Sequence, residues 1–110
     1  MAKKHNLSRE TMNMVAERFK VMSDPMRLQI LNTLQGGELS VMEIVKKTEA
    51  SQPNVSKHLK ILQNSGIVGR RREGNLVYYS IADESIFTLC DLVCNSIEAR
   101  LKSQAEVFSS

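Results

Sequence analysis

The sequence predicts a mainly α-helical fold with one small β-hairpin, in the order α-α-α-α-β-β-α. Three observations lead there. Apolar residues recur at helical spacing in four successive segments between residues 8 and 65, and once more from 83 to about 104. Two short runs, 67–72 and 76–81, are joined across Gly74-Asn75, a pair that tolerates positive φ. Between the third and fourth helical segments only the tight turn Thr48-Glu49-Ala50 intervenes.

Each element has its own signal. Met12, Val15, Phe19 and Met22 fall at i, i+3, i+7 and i+10, which predicts an amphipathic helix over 8–22. Asp24 and Pro25 then supply an N-cap and a proline at the first position of a second helix. Leu28, Leu31 and Leu34 carry that helix to a stop at Gly36-Gly37. Ser40-Val41-Met42-Glu43 reads as a capping box opening a short third helix, with Ile44 and Val45 facing inward. Ser51 caps a fourth helix that ends near Gly66. Its Val55, Leu59 and Leu62 recur at i, i+4 and i+7 and anchor it to a core, whereas its first turn is polar and small. Glu49 stands where many helix-turn-helices carry glycine, because that residue often needs left-handed geometry. A non-glycine residue adopts it at a cost of about 1 kcal/mol or more.

The helix-turn-helix over 40–65 is followed by a hairpin over 67–81 that carries Arg70, Arg71 and Arg72. A polar-faced helix with a basic hairpin behind it is the pattern of a winged helix, and it points to duplex DNA. Tyr78 and Tyr79 are expected to pack the hairpin onto the core rather than touch DNA. Asp83 caps a last helix, 83–104, in which Ile86, Cys90, Val93, Ile97 and Leu101 follow one another in steps of four, three, four and four. That spacing is coiled-coil-like and wider than a core stripe requires. Together with Met12, Val15 and Phe19 of the first helix it supplies spare apolar surface, which predicts a symmetric homodimer through these two helices. Met12, Met14, Met22, Met26 and Met42 are expected as core filler rather than soft-metal ligands.

Composition bounds the rest. A chain of 110 residues with 42% apolar content forms one compact domain, 1–110, whose limited core dimerisation would supplement. The net charge of +3 is modest, so its placement decides more than its size. Lys57, Lys60 and Arg70 to Arg72 lie close together and make one electropositive face for phosphates. No apolar run approaches the ~18 residues of a membrane span. The charged start Met-Ala-Lys-Lys-His lacks a following hydrophobic region, so a secretory signal is not expected. Two cysteines without an export signal read as reduced thiols, and the expected location is cytoplasmic.

Three stretches carry a family resemblance: Phe19-Lys-Val-Met-Ser-Asp-Pro-Met-Arg-Leu-Gln-Ile-Leu31, Ser51-Gln-Pro-Asn-Val-Ser-Lys-His-Leu59, and Arg71-Arg-Glu-Gly-Asn-Leu-Val-Tyr-Tyr79. In this order and spacing they resemble the arsenic-repressor (ArsR/SmtB) family of bacterial winged-helix regulators. The resemblance implies a homodimeric repressor that binds an imperfect palindrome, released by a metal ion, a metalloid or a thiol oxidant. It implies base-reading positions at Ser51, Gln52, Asn54, Ser56, Lys57 and His58, with Lys60, Arg70, Arg71, Arg72 and Asn75 completing the DNA surface. Gln52 or Asn54 can bond an adenine edge, and Arg71 and Arg72 can grip phosphates or enter the minor groove. Ser51 also reads simply as the helix cap, and His58 borders the core residue Leu59.

The family's usual effector sites are missing. Where a Cys-Val-Cys-type motif often precedes the recognition helix, this chain has Glu38-Leu-Ser-Val-Met-Glu43. The last helix holds Asp91 and Glu98 but no histidine for the zinc site, and His5 and His58 have no spaced partner. Cys90 and Cys94 remain, one helical turn apart on one face. They fit a soft metal or metalloid, with four thiols if two helices pair, or oxidation and persulfide chemistry. They fit plain packing as well. An effector-independent repressor with structural cysteines, a winged-helix module that binds protein, and a small redox enzyme are the competing readings. The last lacks both Cys-x-x-Cys spacing and an acid–base constellation, so an enzyme is not expected.

Overall fold

The computed structural model describes residues 7–109; His5 and the outermost ends of the expected 1–110 domain lie outside the described residues. The elements are α1 (Arg9–Met22), α2 (Pro25–Leu34), β1 (Leu39–Ser40), α3 (Val41–Thr48), α4 (Gln52–Asn64), β2 (Val68–Glu73), β3 (Leu76–Ile81) and α5 (Ser85–Ser109). The helix starts follow capping chemistry. Asp24 accepts from the N–H groups of Met26 at 2.8 Å and Arg27 at 3.2 Å, with Pro25 opening α2. Ser40 and Glu43 form the reciprocal capping box of α3, at 3.2 and 3.0 Å. Glu49 does adopt the left-handed conformation, φ 56° and ψ 22°, between α3 and α4.

Several boundaries shift from the expectation, and one element is new. β2 runs Val68–Glu73 rather than 67–72, and α5 runs Ser85–Ser109 rather than 83–104. The hairpin gains a third strand: β1 pairs antiparallel with β3, Leu39 opposite Tyr79 and Ser40 opposite Tyr78, giving the order β1-β3-β2. Two residues are too few to show a period, and Ser40 does double duty as the cap of α3. In the hairpin proper Arg70 lies opposite Tyr79, Arg71 opposite Tyr78 and Arg72 opposite Val77, around a turn with Gly74 at φ 60°.

The core sits among α2, α3, α4 and the base of the sheet. Ile30, Leu34, Ile44, Val55, Leu59, Leu62 and Ile67 are essentially sealed from solvent. Tyr79 joins them and Tyr78 is half-buried, so the hairpin is packed down as expected. Ile86 is only 3% exposed and belongs to this core, which corrects its expected place in a dimer face. The methionines divide: Met22 is buried and Met26 packs against the core, whereas Met12, Met14 and Met42 lie on the surface and fill nothing.

Helix α5 leaves the globule. From Asp91 to Phe108 every residue is exposed, including Leu92, Val93, Ile97 and Leu101. The radius of gyration is 17.2 Å, against about 13 Å for a compact chain of this length. Met12, Val15 and Phe19 on α1 are exposed as well. No helix among the described residues is long and apolar enough to cross a membrane.

Candidate nucleic-acid interface

Helix α4 is split by its own periodicity. Val55, His58, Leu59 and Leu62 turn inward, and Ser51, Gln52, Ser56, Lys57 and Lys60 are exposed, with Asn54 half-buried. Ser51 Oγ accepts from the Asn54 N–H at 3.3 Å, so one hydroxyl lone pair is spent on the cap. The exposed polar groups sit in and just after the first turn, where side chains of a groove-bound helix meet base edges. His58 does not share that surface. It is 7% exposed and its Nδ1 lies 3.2 Å from Arg27 Nη1, so its expected base-reading role is withdrawn. The next residue, Leu59, is fully buried, and the helical twist carries His58 inward beside it.

The wing arginines are not equivalent. Arg70, Arg72 and Asn75 are exposed, and Arg72 Nε donates to the Gly74 carbonyl at 3.2 Å. Arg72 has no carboxylate partner among the described residues. Arg71 points to the other face of the strand. Its guanidinium makes a two-pronged pair with Glu38, at 2.7 and 2.8 Å, and reaches Glu73 at 2.8 Å. It also lies 4.7 Å from the centroid of the Tyr78 ring. Arg71 is therefore a strut between the wing and the segment before β1, its guanidinium shared between two surface carboxylates. The bonds from Arg71 hold the Glu38 carboxyl below its ordinary range.

Arg27, which the sequence reading passed over, connects three elements. Its Nε donates to the Val21 carbonyl at 2.6 Å, and Nη2 to the Lys20 carbonyl at 3.4 Å. Nη1 completes the set at His58. Arg27 is the third residue of α2, in the first turn after the Asp24 cap, and its partners on α1 and α4 are brought to it only by the fold. Arg18 meanwhile pairs with Asp83 at 3.3 Å and ties α1 to the start of α5.

Between α1 and α5 lies an open apolar groove of about 740 Å³, walled by Phe19, Met22, Leu28, Val93, Ile97 and Leu101. Cys90 and Cys94 both line it. Burial pushes the Cys90 thiol up, and the negative charge of Asp91 adds to the shift, so Cys90 is a protonated thiol at neutral pH. Cys94 is exposed. Among the described residues no three His, Cys, Asp or Glu side chains cluster as a metal site within one chain.

The sequence model of the bacterial regulatory proteins of the arsR family matches residues 24–69, from the cap of α2 into β2. A cadmium resistance transcriptional regulatory protein homolog from Staphylococcus aureus is 39% identical over 89 residues, 80% of this chain and 74% of its own length. This chain belongs to the ArsR family. A transcriptional repressor SmtB homolog from Synechocystis is 33% identical over 92 residues, covering 84% of this chain and 70% of the relative. A homodimeric winged helix-turn-helix DNA-binding domain from Mycobacterium bovis superposes with a TM-score of 0.76 at 33% identity, covering 94% of this chain and 95% of that one. ArsR proteins are transcriptional regulators rather than enzymes, and the winged helix-turn-helix is their DNA-binding fold.

Proposed function

We propose that this chain is a homodimeric repressor that reads a palindromic operator and is released by a thiol-directed effector at Cys90 and Cys94. The observation that carries the first half is the division of α4: a sealed apolar face beneath, and Gln52, Ser56, Lys57 and Lys60 outside, beside the wing cation Arg72, which has no carboxylate partner among the described residues. Bases are read from the α4 first turn, and Lys60, Arg70, Arg72 and Asn75 hold the backbone. The apolar strips on α1 and α5 face a second copy, with Met12, Val15, Phe19, Val93, Ile97 and Leu101 at the contact. The homodimeric M. bovis relative supports that arrangement. Two recognition helices then stand about 34 Å apart, one turn of duplex. Such a regulator works in the cytoplasm, where its DNA is.

The effector half rests on the two thiols sharing the α1/α5 groove, so that a ligand there perturbs the surface that pairs the subunits. A soft metal, a metalloid, an oxidant or a reactive sulfur species fits two thiols per chain and four per dimer. The cadmium resistance of the S. aureus relative's name favours the soft-ion class. One observation favours the alternative, a repressor with structural cysteines: Cys90 is half-buried and its thiol resists ionisation.

The test is fluorescence anisotropy on a duplex selected by the reduced protein from a randomised library. Arsenite, cadmium, zinc and a persulfide donor are titrated against wild type and against Cys90→Ser/Cys94→Ser. Release by one agent, lost in the double variant, is the expected result. Tight binding that none of them moves would reduce the cysteines to packing.

A further inference from the structure

We propose that Arg27 is a positioning residue for DNA binding: through the neutral imidazole of His58 it fixes the recognition helix against the end of α1, and a proton on His58 Nδ1 releases that hold. The inference rests on the DNA-binding reading above. A guanidinium only donates, so the 3.2 Å contact requires Nδ1 to accept and places the ring proton on Nε2. The other two bonds from Arg27 go to the Val21 and Lys20 carbonyls, which end α1. One rigid side chain thus locks α4 to the helix whose Phe19 and Met22 wall the groove.

Protonation at Nδ1 turns an acceptor into a donor facing a donor, and sets a like charge against Arg27. Elements packed against α4 contribute few other charges to this site. From the start of α2 come Arg27 and Asp24, whose carboxylate feels the charge of His58 and attracts the protonated ring. Glu43, Lys46 and Lys47 of α3, and Arg70 to Glu73 of β2, are solvent-exposed. Acid therefore moves the ring's preference from Arg27 toward Asp24, both anchored on α2, and the link from α4 to the end of α1 is lost. Histidine side chains as a class make this change between about pH 5 and 8.

The sign is diagnostic. Acid otherwise makes a protein more positive and strengthens phosphate binding. Here the affinity of the full chain for a duplex selected at about pH 8 is expected to fall roughly tenfold by about pH 5.5, the scale of one charge-assisted hydrogen bond. His58→Asn keeps an acceptor near the Nδ1 position and cannot titrate, so it should hold its affinity across the same interval. Parallel profiles for the two proteins would overturn the proposal. A measurement on wild type needs no variant: ¹⁵N shifts of the ring should show Nδ1 bare at about pH 8. A proton found on Nδ1 there would also overturn it. Failure to select any duplex would sink the DNA-binding reading together with this one, whereas a selected duplex bound equally at both pH values sinks only the role of Arg27 and His58.

Discussion

Within one row of wing arginines, neighbours one position apart do different things. The alternation of a strand sends Arg71 to the face of Tyr78 and Glu38, and leaves Arg72 on the opposite face without a carboxylate partner among the described residues. Arg72→Ala is therefore expected to weaken binding to all duplexes and to lower the salt slope by about one, whereas Arg71→Ala leaves the slope unchanged. Equal slopes for both variants would contradict the assignment. Changing Gln52 should instead alter which operator is preferred, read by repeating the selection with the variant. None of this was legible in Arg70-Arg71-Arg72 as letters. The partners of Arg71 and His58 lie 33 and 31 positions away, so only the fold decides which cation is free and which polar residue is buried. Glu49 was legible, because its left-handed geometry follows from the shortness of the turn. Glu49→Gly should relieve it and raise stability by about 0.5–1 kcal/mol, seen as a higher urea midpoint at unchanged slope.

Helix starts and the hairpin turn are local, and the sequence read them well: each is written in three or four adjacent residues. β1 was not, since two residues gain strand character only from Tyr78 and Tyr79 across the sheet. The capping box of α3 gives a test at this scale. Backbone and hydroxyl bonds from Ser40 hold the Glu43 carboxyl below its ordinary range. A carboxyl lowered in the folded state stabilises above its unfolded pKa, and that contribution is lost as pH falls through the folded value. The stability difference between wild type and Glu43→Gln should therefore be constant above about pH 6 and shrink toward about pH 3. Urea unfolding at each pH measures it, and a difference independent of pH would show that the carboxylate contributes nothing as an anion.

For the molecule as a whole, the elongated shape is the informative quantity. A helix of 25 residues in which every residue from Asp91 to Phe108 is exposed, apolar ones included, is not a finished surface. Its a/d-like spacing gave the face away in the sequence, although Ile86 was assigned to it and belongs to the core. The groove between α1 and α5 places both thiols on that same face, so the effector chemistry and the subunit pairing proposed above would draw on one surface. Ile97→Glu puts a charge in its middle, at a residue 55% exposed in the single chain, and should leave the fold intact while separating the subunits. The most direct test of a dimer reading a two-fold operator is sedimentation velocity of the protein on its selected duplex, with wild type and Ile97→Glu side by side. Two chains per duplex for wild type, with tight binding lost in the variant, is the predicted result. One chain per duplex at full affinity would contradict it.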